Sequence, residues 1–193
     1  MRATFLVLAA SLAIVGCSKP PTSPSTAANN NNDGGSARLD IKHGLDPDAA
    51  KINRSPKDIS VEDLLATKLP ESYEKGRMGE FERSTFRLTG TLKSVIKRKD
   101  GDFFLVMQGK SGATAVVEVP DPAQCKGSPM ESDIQRTRDD IEKKYHPTDK
   151  QKDINQPATV EGVGFYGTGQ KRGSGGRGNS ARLMPGTGFK SGN

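Results

Sequence analysis

The run "STFRLTGTLKSVIKRKDGDFFLVMQGKSGATAVVEVP" at positions 84–120 constrains this chain more than any other segment. Phe86, Leu88, Leu92 and Ile96 alternate with Arg87, Thr89, Thr91 and Lys93, the period-two signature of a half-buried strand. Gly90 interrupts the apolar row and predicts a bend or bulge in a long first strand. Asp100-Gly101 is a hairpin turn signal, and residues 103–107 read as a second strand. Gly109 to Gly112 turns the chain again, into a third strand over 113–119. Three strands joined by such short turns are expected to be antiparallel neighbours.

Beyond them, "VEVPDPAQCKGSPME" at 117–131 reads as a joint between strand and helix. Pro120 ends the third strand by removing a ladder donor, and Pro122 is expected to keep the connector extended. Ser128 as N-cap, Pro129 at the first helical position and Glu131 as the capping-box partner start a helix. Met130, Ile134, Ile141 and Tyr145 recur near helical spacing and form its apolar stripe. "ATVEGVGFYG" is a fourth strand, "TGQKRGSGGRGNS" a glycine-rich loop and "ARLMP" a short fifth strand. Three strands, a helix and two strands is the element order of the OB-fold, a five-stranded Greek-key barrel. The expected fold class is therefore mainly β, a five-stranded OB-like barrel with a helix between strands 3 and 4. Another small β-barrel or an α+β sandwich fits the same elements.

The segment before this domain divides by composition. "SVEDLLATKLP" predicts a short helix, with Ser60 as N-cap, Glu62 and Asp63 in the first turn, and Pro70 as a stop. Residues 17–57 are rich in Pro, Ser, Thr, Ala, Asn and Gly and read as a disordered tether. The N-terminus has one basic residue, Arg2, and an apolar run too short for a permanent membrane span. That run ends in Ile14-Val15-Gly16-Cys17, which resembles the bacterial lipobox. The resemblance implies a signal peptide over 1–16, lipidation of Cys17, and a membrane anchor of lipid rather than protein. With Ser18 next, it implies, for a Gram-negative envelope, the outer membrane, facing the periplasm or the surface. The expected organisation is signal peptide 1–16, lipidated tether 17–57, helical lead-in 58–80 and barrel domain 81–193.

Charge is distributed unevenly. The formal net charge is +6, of which Arg2 supplies one and residues after Glu161 supply five, so 17–161 are neutral overall. In OB-folds the loops between strands 1 and 2 and between strands 4 and 5 flank the ligand face. Here the first carries Lys97, Arg98 and Lys99, and the second Lys171, Arg172 and Arg177. With Arg87 and Lys93 on the first strand, these eight side chains form the candidate ligand-binding set for an anionic polymer. Nucleic acid would also need a stacking platform. The aromatic candidates for it are Phe103 or Phe104, whichever points outward, and Phe165 or Tyr166.

Catalytic patterns are absent from the sequence. Neither histidine suggests a metal site: His43 falls in the expected tether and His146 at a helix end. No zinc spacing, phosphate loop or nucleophile elbow occurs. No catalytic residue, metal or cofactor is expected. Once Cys17 is lipidated, Cys125 is the sole thiol, expected to be a buried, unreactive residue. "LTGTL", "DGDFFLVM", "EVPDP" with Cys125 and Ser128, "VEGVGFYG" and "NSARLMP" together resemble a group of small exported bacterial proteins with an OB-like domain. Members of that group carry histidines where this chain has Phe104 and Met184, so a role of those histidines does not carry over, and the resemblance implies fold and export more than function. The function expected is a membrane-anchored binding or interaction module for an anionic polymer or an envelope protein. A metal-dependent nuclease or phosphodiesterase on an OB-like barrel and a structural envelope protein docking to another protein are the alternatives.

Overall fold

The computed structural model describes residues 36–167 and 180–192. The expected signal peptide, Cys17, and Lys171, Arg172 and Arg177 lie outside the described residues.

The fold is mainly β, a six-stranded sheet that closes on itself. Its strands are β1 (Asn53–Ile59), β2 (Ser84–Lys97), β3 (Phe103–Gln108), β4 (Thr114–Val119), β5 (Lys152–Gly167) and β6 (Ser180–Ser191). Their order is β1-β2-β3-β4-β6-β5, and β5 returns to pair with β2, completing a ring of five strands. β4 and β6 meet in parallel at Val117 and Leu183, whereas β2–β3, β3–β4, β2–β5 and β5–β6 are antiparallel. Leu88, Leu92, Val95, Leu105, Met107, Val117, Val160 and Leu183 fill the interior.

The three central strands follow the alternation of their residues; β3 runs buried, half-buried, buried along its length. Gly90 serves a close approach rather than a bulge: a Cβ there would stand 2.5 Å from the Gln108 carbonyl oxygen. The irregularity of β2 falls instead between Leu92 and Ser94. The helix α2 (Val61–Ala66) begins at Ser60, whose side chain accepts from the Asp63 amide, and buries Val61 and Leu64. In α3 (Glu131–Tyr145), Ile134, Thr137, Ile141 and Tyr145 face the core.

Several expectations need correcting. Residues 36–57, assigned by composition to the tether, are structured: a helix α1 (Ser36–His43), a 3-10 turn (Ala49–Lys51) and most of β1. Their stability comes from distant partners, which local composition does not report. The sheet therefore has six strands, not five, because β1 adds in parallel to the start of β2. β1 lacks apolar alternation and contains Pro56, as suits an exposed edge strand. Its range also straddles the expected boundary at 57. The last strand is twelve residues long rather than five, paired with β5 through the glycines at 186 and 188.

The joint at 117–131 differs in detail. Pro122 opens a 3-10 turn (Pro122–Gln124), and Asp121 caps it by accepting from the Ala123 amide. Ser128 and Glu131 do not form the helix capping box: Ser128 Oγ accepts from the Met130 amide and Glu131 Oε2 from the Gly127 amide. Both bonds brace the turn before α3, which starts at Glu131.

Candidate functional site

Strand alternation defines an outer surface on the ring. On β3, Phe103, Leu105 and Met107 are buried inward, so Phe104, Val106 and Gln108 point out. Ile96, Phe104 and Glu118 are register partners across β2, β3 and β4, and so are Ser94, Val106 and Val116. Ile96, Phe104, Val106 and Val116 are half-buried, leaving an apolar strip. The β2–β3 turn lies at its edge; Gly101 holds a φ of 92° there, a conformation that favours glycine. Lys97 and Lys99 are exposed, and the Arg98 guanidinium lies 4.8 Å from the Phe104 ring centroid. Cation and ring thus form one platform.

Four of the eight expected ligand-binding residues are placed around this surface. Lys97, Arg98 and Lys99 edge the strip, and half-buried Lys93 sits at the β2 irregularity. Arg87 is placed elsewhere: its Nε donates to Glu161 Oε1 at 2.9 Å, and Asp58 lies 3.5 Å from its Nη1. That countercharge removes Arg87 from a positive groove. Of the aromatic candidates, only Phe104 is partly exposed; Phe103 is buried in the core, Phe165 under α1, and Tyr166 is buried too.

The neighbouring part of the same outer surface is closed. Glu118 points away from core residues Val117 and Val119, yet it is only 1% exposed, because α1 lies over it. Lys42 Nζ stands 2.5 Å from Glu118 Oε1 and 2.5 Å from Asp102 Oδ2. The ammonium thus sits between the two carboxyl groups at equal distance. Glu118 Oε2 and His43 Nε2 are buried without partners. Burial by itself would lower Lys42, but Glu118 and Asp102 outweigh it and raise its pKa. Burial pushes Glu118 up to about 8, against the opposing pull of Lys42, and Asp102 adds to the rise. One ammonium therefore faces two carboxyl groups, with a proton retained on Glu118 at neutral pH.

At the other end of α1, Arg38 forms a forked pair with Glu82, Nη2–Oε1 2.5 Å and Nη1–Oε2 3.1 Å. Arg38 also donates to the Tyr166 carbonyl and lies 4.5 Å from the Phe165 ring centroid. The Met78 and Tyr166 amides complete the Glu82 carboxylate. Between these ends, Ile41 packs with Phe165 and Met184 in a small cluster apart from the main core. Arg77 clasps Asp46 just beyond the helix, through Nε and Nη2. The charges on Arg38, Lys42, Glu82 and Glu118 gave no motif in the sequence; only their alternation partners hinted that Glu118 faces outward.

An open cleft of about 490 Å³ lies between α3 and the β4–α3 connector, lined by Phe103, Asp121, Lys126, Glu131, Arg138 and Glu142. Arg138 stacks 3.6 Å from the Phe103 ring centroid and donates to the Val119 and Pro120 carbonyls, which makes it a brace for the connector. Cys125 is fully buried, and burial pushes its thiol up to about 12, with Asp102 and Asp121 adding to the shift. Among the described residues no three ligating side chains converge on a metal-sized site. No protein-family model matches this chain, and neither does any curated protein.

Proposed function

We propose that this protein is a lipid-anchored envelope protein whose folded part is an OB-like barrel that binds an anionic polymer without transforming it. The observation that carries the reading is the open outer strip of Ile96, Phe104, Val106 and Val116, edged by Lys97, Arg98 and Lys99. Strips of this kind on the second and third strands of a closed five-strand ring, beside the first interstrand loop, are where OB-folds take extended ligands. The ring order, the parallel closure of β4 on β6 and the helix between β4 and β5 support that fold. Cationic side chains draw in the polymer and release its counterions, and Phe104 offers a face for stacking. The sequence Ile14-Val15-Gly16-Cys17 supports the lipid anchor.

Fluorescence anisotropy of the full chain with a single-stranded oligonucleotide and with heparin tests the binding reading. Affinity should fall with salt, and joint replacement of Lys97, Arg98 and Lys99 by Ala should reduce the log–log salt slope by about 2 to 3. Phe104→Ala should weaken the oligonucleotide by about tenfold and heparin far less. Absence of salt-dependent binding to both polymers, or an unchanged triple variant, rejects the reading. Cleavage of the oligonucleotide in calcium or magnesium would favour the nuclease alternative. Cys17→Ser should move the protein from the membrane to the soluble fraction.

A further inference from the structure

We propose that Lys42 and Asp102 are the two partners of an intramolecular amide cross-link, made within the fold with Glu118 as proton shuttle and water as the only by-product. This does not rest on the polyanion reading, since all three side chains are sealed beneath α1. Lys42 Nζ lies 2.5 Å from Asp102 Oδ2 and 2.5 Å from Glu118 Oε1. The side chains of Lys42, Asp102 and Glu118 are 5%, 0% and 1% exposed. An amine, a carboxyl group to be attacked and a second carboxyl group to move protons thus share one dry site, brought there by α1, the β2–β3 turn and β4.

Each part is held in place. Asp102 Oδ1 accepts from the Asp121 amide at 2.8 Å, the separation at which a fixed N–H stabilises an oxyanion at an acyl carbon. The Asp102 carbonyl accepts from the Arg98 amide, which fixes its backbone at the turn, and one helical turn before Lys42 the Arg38–Glu82 fork anchors α1. Groups oriented in this way react as if present at about 10⁵ M or more. Burial is the largest influence on Lys42 and works against its charge; the two carboxyl groups hold the proton there. With Glu118 already carrying a proton, transfer of the Lys42 proton to Asp102 Oδ2 leaves three neutral groups, the state a dry interior favours. The Nζ lone pair then forms a bond to Asp102 Cγ, and negative charge gathers on Oδ1 opposite the Asp121 amide. Glu118 Oε1 takes one proton from Nζ, and Glu118 gives its own to Oδ2. The Cγ–Oδ2 bond breaks, its electron pair leaving with the oxygen as water. Nζ keeps one hydrogen, Oδ1 becomes the amide carbonyl, and Glu118 ends protonated as it began. Exclusion of water protects the product from hydrolysis. The bond fastens α1, whose eight residues do not hold a helix alone in water, to the barrel.

The test is intact mass spectrometry of the folded full chain carrying Cys17→Ser, followed by trypsin digestion in urea. The chain should be lighter by one water than its residues sum to, and cleavage after Lys42 should be lost. In its place, a branched peptide should join residues 39–51 to residues 100–110. Lys42→Arg keeps the cation and lacks the amine, so in the same background its mass should be complete and trypsin should cut after position 42. Glu118→Gln should form the cross-link at least about a hundredfold more slowly, through loss of the general acid and base. Circular dichroism shows whether that variant keeps its sheet; if it does not, the masses of the Cys17→Ser chain and of Lys42→Arg decide. A folded Cys17→Ser chain of complete mass, cut after Lys42, overturns the proposal. So does a branch from Lys42 to residues 111–126, which carry Glu118, or a cross-link that forms as fast in folded Glu118→Gln.

Discussion

The outer surfaces of β3 and β4 are adjacent and belong to one sheet, yet they are finished in opposite ways. Along β3, Phe104 and Val106 stay half-exposed and the nearby Lys97 and Lys99 are solvated. On β4, Glu118 is shut away with Asp102 and Lys42 beneath α1. A charge in water is available to a ligand and contributes little to stability. A charge taken out of water needs its partner, and removal of the partner is far more costly than the pair is stabilising. The open side should thus govern binding, and the closed side should govern folding.

Four measurements bear on that contrast. The largest effect is kinetic: Cys125, buried in the main core at the β4–α3 connector, should label with iodoacetamide at least roughly a thousandfold more slowly in the folded Cys17→Ser protein than in urea, since the thiolate is scarce when the pKa stands near 12. Fast labelling of the folded chain would show that the core beneath the connector is wet and that buried groups on this side are not sealed from solvent. Next, Lys42→Met should cost about 3 to 5 kcal/mol in urea unfolding, because two carboxyl groups lose their shared cation. Gly90→Ala should cost about 1 to 3 kcal/mol, by forcing a Cβ against the Gln108 carbonyl. The smallest effect is on the open side, where replacing Lys97, Arg98 and Lys99 by Ala should each change stability by no more than about 0.5 kcal/mol.

The closed side also sets a pH dependence. Burial and Asp102 hold the Glu118 pKa up at about 8, against Lys42, above the ordinary 4.5. Between those values the folded chain keeps a proton that the unfolded chain has released. The contribution of Glu118 is therefore fully present below 4.5 and is lost as pH rises to about 8. His43 acts in the opposite sense. Burial and Lys42 lower it from 6.5, against Asp102, Asp40 and Asp100, so stability is lost as acid protonates the unfolded histidine below that value. Urea midpoints from pH 6.5 to 8 should decline in the unaltered chain and flatten in Glu118→Gln; an equal decline in both would show that Glu118 is not buried with its proton.

Legibility followed the range of the interactions. β2, β3, β4 and the inward face of α3 could be read because their patterns are local: alternation, a turn glycine, an apolar stripe. Phe104 was readable as half of a two-way choice, and the packing of Phe103 inward made it. α1 could not be read, because Arg38 and Lys42 look like solvated cations until their partners arrive. Glu82 lies 44 residues away and the Tyr166 carbonyl 128. β1 was hidden for a related reason: it pairs in parallel along a strand edge, where exposure removes the apolar alternation that marks other strands. Arg87 could not be read as an ion-pair residue because Glu161 is its register partner on β5, a neighbour that exists only once the ring closes.

Local pattern alone dictates that this chain builds a β sheet from an antiparallel triplet, that a helix separates the triplet from later strands, and that Cys17 is the one cysteine Cys125 could pair with. Those are consequences of side-chain period, turn chemistry and residue count, which act over a few positions. Which charges face water is set by long-range packing. The Lys97–Lys99 turn and Lys42 carry the same kind of charge, but one is left at an edge and the other is placed between two carboxyl groups from β4 and the β3 approach. That assignment depends on chain closure and on the desolvation it imposes, neither of which is a property of any local stretch of residues.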